Sequence, residues 1–125
     1  MNVPDNLQYT TDHEWVLIEG DTVTVGVTDH AQEELTDVVF VELPEVGKQV
    51  APGDPAGVVE SVKAASDVFA PVAGEVVGVN DEVVADPSLV NTDPYGKGWL
   101  MKIKVPDAGA ITGTMSAGDY QAHIG

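Results

Sequence analysis

The sequence predicts a single domain of mainly β structure, built from short strands and tight turns. Three features of the composition support this prediction. The chain has 125 residues, a length that suits one domain spanning residues 1–125. Its 13 Gly and 8 Pro residues favour turns, and its many Val residues favour strands. The aromatic residues are few (two Trp, three Tyr and two Phe), so Val must supply most of the core packing.

The first half of the chain predicts three strands and one short helix. Residues 14–18 and 22–27 read as two strands, and the second has the apolar alternation of a half-buried strand. A helix follows, because Asp29 can cap its N-terminus and Gln32, three residues on, completes a capping box. The next predicted strand covers residues 38–43, and Pro44 closes it.

The second half has shorter strands between Gly and Pro residues. Asp86-Pro87-Ser88 predicts one helical turn, since Pro suits the first position of a helix. Ser116 is the predicted cap of a short C-terminal helix over residues 116–123. The remaining predicted strands cover residues 48–51, 56–62, 67–70, 74–79 and 99–105.

A weak internal repeat with an offset of 27 residues divides the second half. It sets Gly47, Val50, Gly53 and Asp54 opposite Gly74, Val77, Asn80 and Asp81. Gly and Asn are the residues that best tolerate left-handed turn geometry. The repeat therefore predicts two similar units of strand, turn and returning strand, with Lys63 between them at a hairpin tip.

The charge of the chain excludes several classes of function. Five Lys residues stand against 21 carboxylates, there is no Arg, and the formal net charge is −16. Nucleic acids and anionic membrane surfaces are recognised by clustered Lys and Arg, so neither is an expected partner. The acidity fits either a need for solubility, as in a salty cytoplasm, or steering toward basic partner proteins.

The residue types also limit the possible chemistry. With no Cys, the chain forms no disulfide and no thiolate metal site, and any sulfur chemistry must come from a cofactor. His13, His30 and His123 show no ligand spacing, so no metal site is expected. No catalytic set is evident. The sequence also lacks a long apolar run for a membrane span and the features of a signal or transit peptide.

Lys63 is the residue that stands out. It is the only cation between Lys48 and Lys97, and small residues follow it directly. By composition alone it is an ordinary exposed lysine in a loop. Its segment, Glu60-Ser61-Val62-Lys63-Ala64-Ala65-Ser66-Asp67, resembles the lipoyl-attachment signature of the glycine cleavage H-protein family.

Further blocks of the chain resemble the same family in order. The likeness runs from about Leu7 to Lys104 and is looser beyond Val105, including the tail 107–125. The matching blocks are Tyr9-Thr10-Thr11-Asp12-His13-Glu14-Trp15, Val25-Gly26-Val27-Thr28-Asp29-His30-Ala31-Gln32, Asp37-Val38-Val39-Phe40-Val41-Glu42-Leu43-Pro44 and Asn91-Thr92-Asp93-Pro94-Tyr95-Gly96-Lys97-Gly98-Trp99.

The resemblance implies a flattened barrel-sandwich hybrid of two antiparallel sheets with short flanking helices. It implies that Lys63 carries lipoate in amide linkage, placed there by a lipoate-attaching enzyme. The arm then takes an aminomethyl group from a pyridoxal-phosphate glycine decarboxylase (the P protein). A folate-dependent aminomethyltransferase (the T protein) removes it, and dihydrolipoyl dehydrogenase (the L protein) reoxidises the arm. The chain itself is then a carrier and not an enzyme. Its expected location is the cytoplasm of a bacterium or archaeon, or the mitochondrial matrix for a mature eukaryotic chain.

The resemblance also suggests roles for individual residues. The family shelters the loaded arm in a cleft, where Glu14 could pair with the cationic amine. Glu60, Ser61 and Asp67 flank Lys63, and the lipoate-attaching enzyme could recognise them. Trp15 and Trp99 are expected in the core, and Val62 could point inward from the hairpin.

Other carriers remain as alternatives. A lipoyl domain of a 2-oxoacid dehydrogenase typically has Asp before the lysine, where this chain has Val62. A biotin carrier typically has Met on both sides, where this chain has Val62 and Ala64. A lipoyl-relay carrier that donates its group to 2-oxoacid dehydrogenases would share the fold, and the sequence leaves that role open.

Overall fold

Two antiparallel β-sheets form the body of the protein in a computed structural model, which describes residues 2–106 and 113–125. The six-stranded sheet has the order β1-β2-β3-β9-β8-β5, and the three-stranded sheet has the order β4-β6-β7. The strands are β1 Gln8–Tyr9, β2 Glu14–Glu19, β3 Thr22–Val27, β4 Val38–Glu42, β5 Gln49–Val50, β6 Pro55–Ser61, β7 Ala65–Phe69, β8 Gly74–Val79 and β9 Met101–Lys104. The helices are α1 Asp29–Leu35, α2 Asp81–Ala85, α3 Leu89–Thr92 and α4 Ala117–Ile124.

The two sheets pack face to face without closing into a barrel, and this confirms the predicted fold class. Valine supplies most of the core, as expected from the scarcity of aromatic residues. Val23 and Val25 of β3 contribute from the larger sheet, and Val41 of β4 and Val59 of β6 from the smaller one. The alternation along β3 follows from the two-residue period of a strand, which sends successive side chains to opposite faces.

A second cluster covers the other face of the larger sheet. Tyr9 and Tyr120 stack there with ring centroids 4.7 Å apart, next to the buried Trp15 indole. Trp15 is a core residue as predicted, and its Nε1 donates to the Pro94 carbonyl at 2.9 Å. Trp99 is only half-buried, and Nζ of Lys102 lies over its ring.

The helix α1 begins one residue earlier than the predicted cap implied. Thr28, not Asp29, is the N-cap, because its side chain accepts from Ala31 N–H. The reason lies in the preceding strand: Thr28 N–H donates to His13 O at 3.0 Å and keeps Thr28 extended. The Asp29 carboxylate instead accepts from the Gln32 side chain.

The remaining helices differ in how well the sequence predicted them. The C-terminal helix α4 is confirmed, with Ser116 as its cap, accepting from Asp119 N–H. The helix α2 was missed. The N-cap of α2 is Asn80, with φ −94. The repeat aligned Asn80 with Gly53 and suggested a left-handed turn at both residues. Gly53 has that geometry, with φ +87, and Asn80 does not. The two units of the repeat are therefore not equivalent.

Most strand predictions are correct to within a few residues. The strand β1 was not predicted, and β7 begins at Ala65 rather than at residue 67. The part of the tail at residues 107–112 lies outside the described residues. Among the described helices, none has the length and apolar character needed to cross a membrane.

Candidate functional site

Lys63 lies at the exposed tip of the hairpin that joins β6 to β7. The tip is tight because Ser61 N–H donates to Ala64 O at 2.8 Å. The Ser61 hydroxyl adds three local hydrogen bonds: it accepts from the backbone N–H groups of Lys63 and Ala64 and donates to the Ala64 carbonyl. Ser61 therefore shapes the turn that presents Lys63, a role that its place in the sequence motif did not reveal.

Beside the tip is a cleft with a volume of about 460 Å³. This volume is within the range of about 300–1,000 Å³ that is typical of small-molecule sites. One wall is the free edge of β7, and the others come from α1 and from the turn before β2. The lining residues are Asp12, His13, Glu14, Val27, Ala31, Glu34, Leu35, Val59, Lys63, Ala64, Ala65, Ser66, Asp67 and Val68.

The Glu14 carboxylate is the buried polar group of this cleft, only 2% exposed. Its Oε2 accepts from Phe69 N–H at 2.8 Å, and its Oε1 accepts from the Thr10 hydroxyl at 3.0 Å. Burial raises the pKa of Glu14 from 4.5 to about 7, while these two hydrogen bonds partly oppose the rise. Among the described residues no basic side chain pairs with it: the contacts found there between basic and acidic side chains join His30 to Glu34 and Lys104 to Asp21.

Lys63 and Glu14 mark the two ends of the β7 wall. Lys63 precedes the strand, and Phe69, whose N–H binds Glu14, is its last residue. A five-residue strand spans about 15 Å at the usual rise of about 3.3 Å per residue. A lysine side chain extended by a long acyl group can therefore follow this wall from the tip toward Glu14.

The Lys63 ammonium already leans over the mouth of the cleft. Its Nζ donates to the backbone carbonyl of Glu34 at 3.0 Å. Glu34 is in the last turn of α1, where carbonyl groups lack helical partners and carry partial negative charge. The end of α1 thus holds the exposed amine at the mouth of the cleft.

The position of α1 is fixed by Asn91 of α3. The Asn91 amide donates to the Thr36 carbonyl and to the Gln32 side chain, and its Oδ1 accepts from Val38 N–H at 2.8 Å. These bonds hold the junction of α1 and β4 together across more than fifty residues of sequence. The resemblance marked Asn91 only as part of a block and assigned it no role.

Three histidines that are distant in sequence meet beside the cleft, and one of them, His13, lines it. The ring of His13 lies 4.6 Å from that of His30 and 5.9 Å from that of His123, centroid to centroid. Nδ1 of His13 and the buried Tyr120 hydroxyl are hydrogen-bonded at 2.8 Å. Burial, together with the charge of His30, lowers the pKa of His13. Sequence spacing gave no sign of this cluster, which joins the turn before β2 to α1 and α4.

The structure separates the residues that the resemblance grouped around Lys63. Asp67 lines the cleft, whereas Glu60 is exposed on β6 and is paired with Ala65 of β7. Val62 does not point inward from the hairpin: it is 71% exposed, because the turn leaves it no facing strand. Within residues 2–106 and 113–125, no group of three His, Asp or Glu side chains is placed to hold a metal ion.

Comparisons with known proteins all identify one family. Residues 7–125 match the family model described as "Glycine cleavage H-protein". A glycine cleavage system H protein from Pseudoalteromonas atlantica is 56% identical over 124 residues, covering 98% of this chain and 96% of the relative. One from Aeromonas hydrophila is 54% identical over 121 residues, covering 96% and 94%. The crystal structure of the H protein from Mycobacterium marinum superposes with a TM-score of 0.90 at 43% identity, covering 98% of each chain.

Proposed function

Since this chain belongs to the glycine cleavage H-protein family and is a lipoyl carrier of the glycine cleavage system, we propose that its lipoyl group is joined to Lys63. The observation that carries the proposal is that Nζ of Lys63 lies at the mouth of a cleft lined by the buried Glu14 carboxylate. The lipoyl group supplies the redox sulfur that this cysteine-free chain lacks.

The hairpin tip favours attachment at Lys63. The side chain is exposed, and the small residues Ala64 and Ala65 follow it, so an acylating enzyme meets little obstruction. Ser61 braces the turn, so the lysine is presented from a defined backbone. Amide formation leaves one N–H on Nζ. That N–H can donate to the Glu34 carbonyl, which the ammonium now contacts.

Glu14 provides the binding site for a cationic cargo. A buried carboxylate with no cationic partner among the described residues is costly to ionise, as the raised pKa shows. An ammonium brought into the cleft would supply the missing positive charge and hold Glu14 ionised. A hydrogen bond between charged groups contributes about 1.5–3 kcal/mol. Asp67 and the free edge of β7 complete the polar wall of the cleft.

The partners follow from the family and from the charge. We propose docking to the glycine decarboxylase, the aminomethyltransferase and dihydrolipoyl dehydrogenase, and to a lipoate-attaching enzyme before them. The chain presents carboxylates and a net charge of −16, so each partner needs a basic docking surface. It works as their shared substrate and catalyses none of the steps. The relatives reported above are bacterial, and we propose that the chain acts in the bacterial cytoplasm.

The test of attachment uses the unmodified protein, a lipoate–protein ligase, lipoate and ATP. Intact mass should rise by one lipoyl group in the parent and in Lys48→Arg, and should stay unchanged in Lys63→Arg. Peptide mapping should place the group on Lys63. An adduct on Lys48 or Lys97, or a mass gain in Lys63→Arg, would refute the assignment.

The test of shelter uses the modified protein, loaded by the decarboxylase and glycine. Glu14→Ala should release the cargo several-fold faster than the parent, as followed by mass spectrometry, with attachment at Lys63 unchanged. Glu60→Ala is the matched control, because it removes an exposed carboxylate outside the cleft. Equal decay of all three proteins would assign Glu14 a purely structural role.

A further inference from the structure

An exposed apolar patch adjoins the hairpin tip. It consists of Val39 and Phe40 of β4 and Val62 of the tip, which are 54%, 46% and 71% exposed. We call these three residues the tip patch. The pairing of β4 with β6 shifts register between Val38 and Phe40. This bulge explains why Val39 and Phe40, which are adjacent in one strand, are both exposed. Without this bulge, alternation would turn one of them inward.

The tip patch and Lys63 are held together by backbone contacts. Val62 N–H donates to the Asp37 carbonyl at 3.1 Å, so the tip lies against the start of β4. Phe40 is paired with Glu60, which is paired in turn with Ala65 beyond the tip. The backbone pairings therefore place the tip patch on the tip and on the strand that pairs with its first arm.

Carboxylates border the tip patch. Asp37 is exposed in the segment before β4, Glu42 on β4 and Glu60 on β6. Glu34 is exposed at the end of α1. None of the other four lysines of the chain is on these elements, and apart from Lys63 the one basic side chain in contact with this border among the described residues is His30, next to Glu34. An apolar centre with an acidic border fits a partner that offers apolar side chains surrounded by Lys and Arg. A second copy of this chain does not fit, because each copy carries a net charge of −16.

The length of the lysine side chain decides which partner must use this surface. An enzyme that acylates Nζ has to reach within the length of a four-carbon stem, on the order of 6 Å, of the tip backbone. Such an enzyme cannot avoid the residues beside the tip. Enzymes that act at the far end of the completed arm can dock at a greater distance, on other surfaces.

We propose that the tip patch and its acidic border are the docking surface for the lipoate-attaching enzyme, and that the bulge in β4 exists to expose it. This inference rests on the proposed attachment at Lys63 and adds the residues that recognise the enzyme. The enzyme that attaches lipoate would then bind a surface different from those that bind the three enzymes of the glycine cleavage cycle.

The test measures binding of the unmodified protein to a purified lipoate–protein ligase by calorimetry. The double variant Val39→Ser/Phe40→Ser should raise Kd about tenfold, because truncating a central apolar contact commonly has effects of this size. The control Val46→Ser/Val77→Ser also removes two exposed apolar side chains, which lie outside the tip patch, and should leave Kd unchanged. Thermal unfolding of both doubles should match the parent.

Charge reversal provides a second measurement that does not depend on the apolar residues. Glu60→Lys should slow association with the ligase several-fold at low salt, whereas Glu75→Lys on β8 should have little effect. Mass gain at Lys63 should slow in parallel with binding. The lipoylated Val39→Ser/Phe40→Ser variant should bind the glycine decarboxylase as tightly as the lipoylated parent.

The possible failures are distinguishable. If the parent gains no lipoyl group at Lys63, the proposed function fails. If the parent is modified and the tip variants bind the ligase as tightly as the parent, only the docking surface is refuted. An equal loss of decarboxylase binding would also overturn the proposal, since the tip patch would then be a general docking face. Self-association abolished by the tip variants would assign the surface to a second copy of the chain.

Discussion

Replacing Glu14 by Gln should stabilise the protein at alkaline pH and have little effect in acid. The folded chain buries this carboxyl group and raises its pKa from 4.5 to about 7. The folded state therefore binds the proton more tightly than the unfolded state. Above pH 4.5 the unfolded chain gives up the proton more readily, so Glu14 increasingly destabilises the fold until the pH passes about 7. Glutamine keeps the shape of the side chain without the titrating group.

The size of the effect follows from the shift in pKa. One pKa unit corresponds to about 1.4 kcal/mol, so the rise from 4.5 to about 7 corresponds to about 3 kcal/mol when titration is complete. Between pH 5 and pH 8 we expect the stability advantage of Glu14→Gln to grow by about 2–3 kcal/mol. The Gln side chain can still accept from Phe69 N–H, and its amide can donate to the Thr10 hydroxyl oxygen. The Thr10 O–H loses its acceptor in this exchange, which lowers stability by a similar amount at every pH and leaves the pH dependence unchanged.

The assay is urea unfolding of the parent and Glu14→Gln at several values between pH 5 and pH 8.5. The difference between the two proteins isolates Glu14 from the other carboxylates, which titrate equally in both. Glu60→Gln is the control, since an exposed substitution usually changes stability by no more than about 0.5 kcal/mol. A stability difference that stays constant across the pH range would refute the buried, unpaired state of Glu14.

Three further predictions test the framework around the site. Gly26→Ala should lower the free energy of unfolding by about 1–3 kcal/mol in urea titrations, because an added Cβ would overlap the Trp15 indole; an unchanged midpoint would contradict the packing described. Tyr120→Phe should cost about 1–3 kcal/mol by the same assay, since it leaves Thr28 and His13 without their shared partner, and a neutral effect would show that water replaces it. Association with partner enzymes in stopped-flow experiments should slow as salt rises, because the Debye length shrinks from about 10 Å at 0.1 M to about 3 Å at 1 M; a salt-independent rate would assign the acidity to solubility.

In the proposed function, the hairpin of Lys63 serves two purposes. The tip would present the lysine to an enzyme that must approach it closely, and the β7 edge would then offer a wall along which the extended arm can lie. The end of α1 connects the two purposes, because its Glu34 carbonyl accepts a hydrogen bond from Nζ at the mouth of the cleft. In this proposal the tip presents the lysine and the edge of β7 shelters the arm.

The sequence predicted correctly those helices and strands whose formation depends on residues close to them in the chain. The strand β3 and the Ser116 cap of α4 were predicted correctly, because strand period and capping depend on near neighbours. The predicted half-burial of β3 is wrong, since the second cluster covers the outer face of its sheet and residues 23–27 are all buried. The internal repeat predicted Lys63 at a hairpin tip, and the structure has it there. The Thr28 cap was misread as Asp29, because the strand that holds Thr28 extended is paired with a residue in another element.

The sequence by itself determined a mainly β chain of strong acidity and its family, and it singled out Lys63 as the lysine proposed to carry the cofactor. Only the tertiary structure decided that Glu14 is the buried carboxylate among those of the described residues. Its burial depends on Phe69, which is 55 positions away, and the contact of Lys63 with Glu34 spans 29 positions. Burial and the pKa shift that follows from it are set by which distant segments exclude water from a group, and that information is absent from the residues beside it.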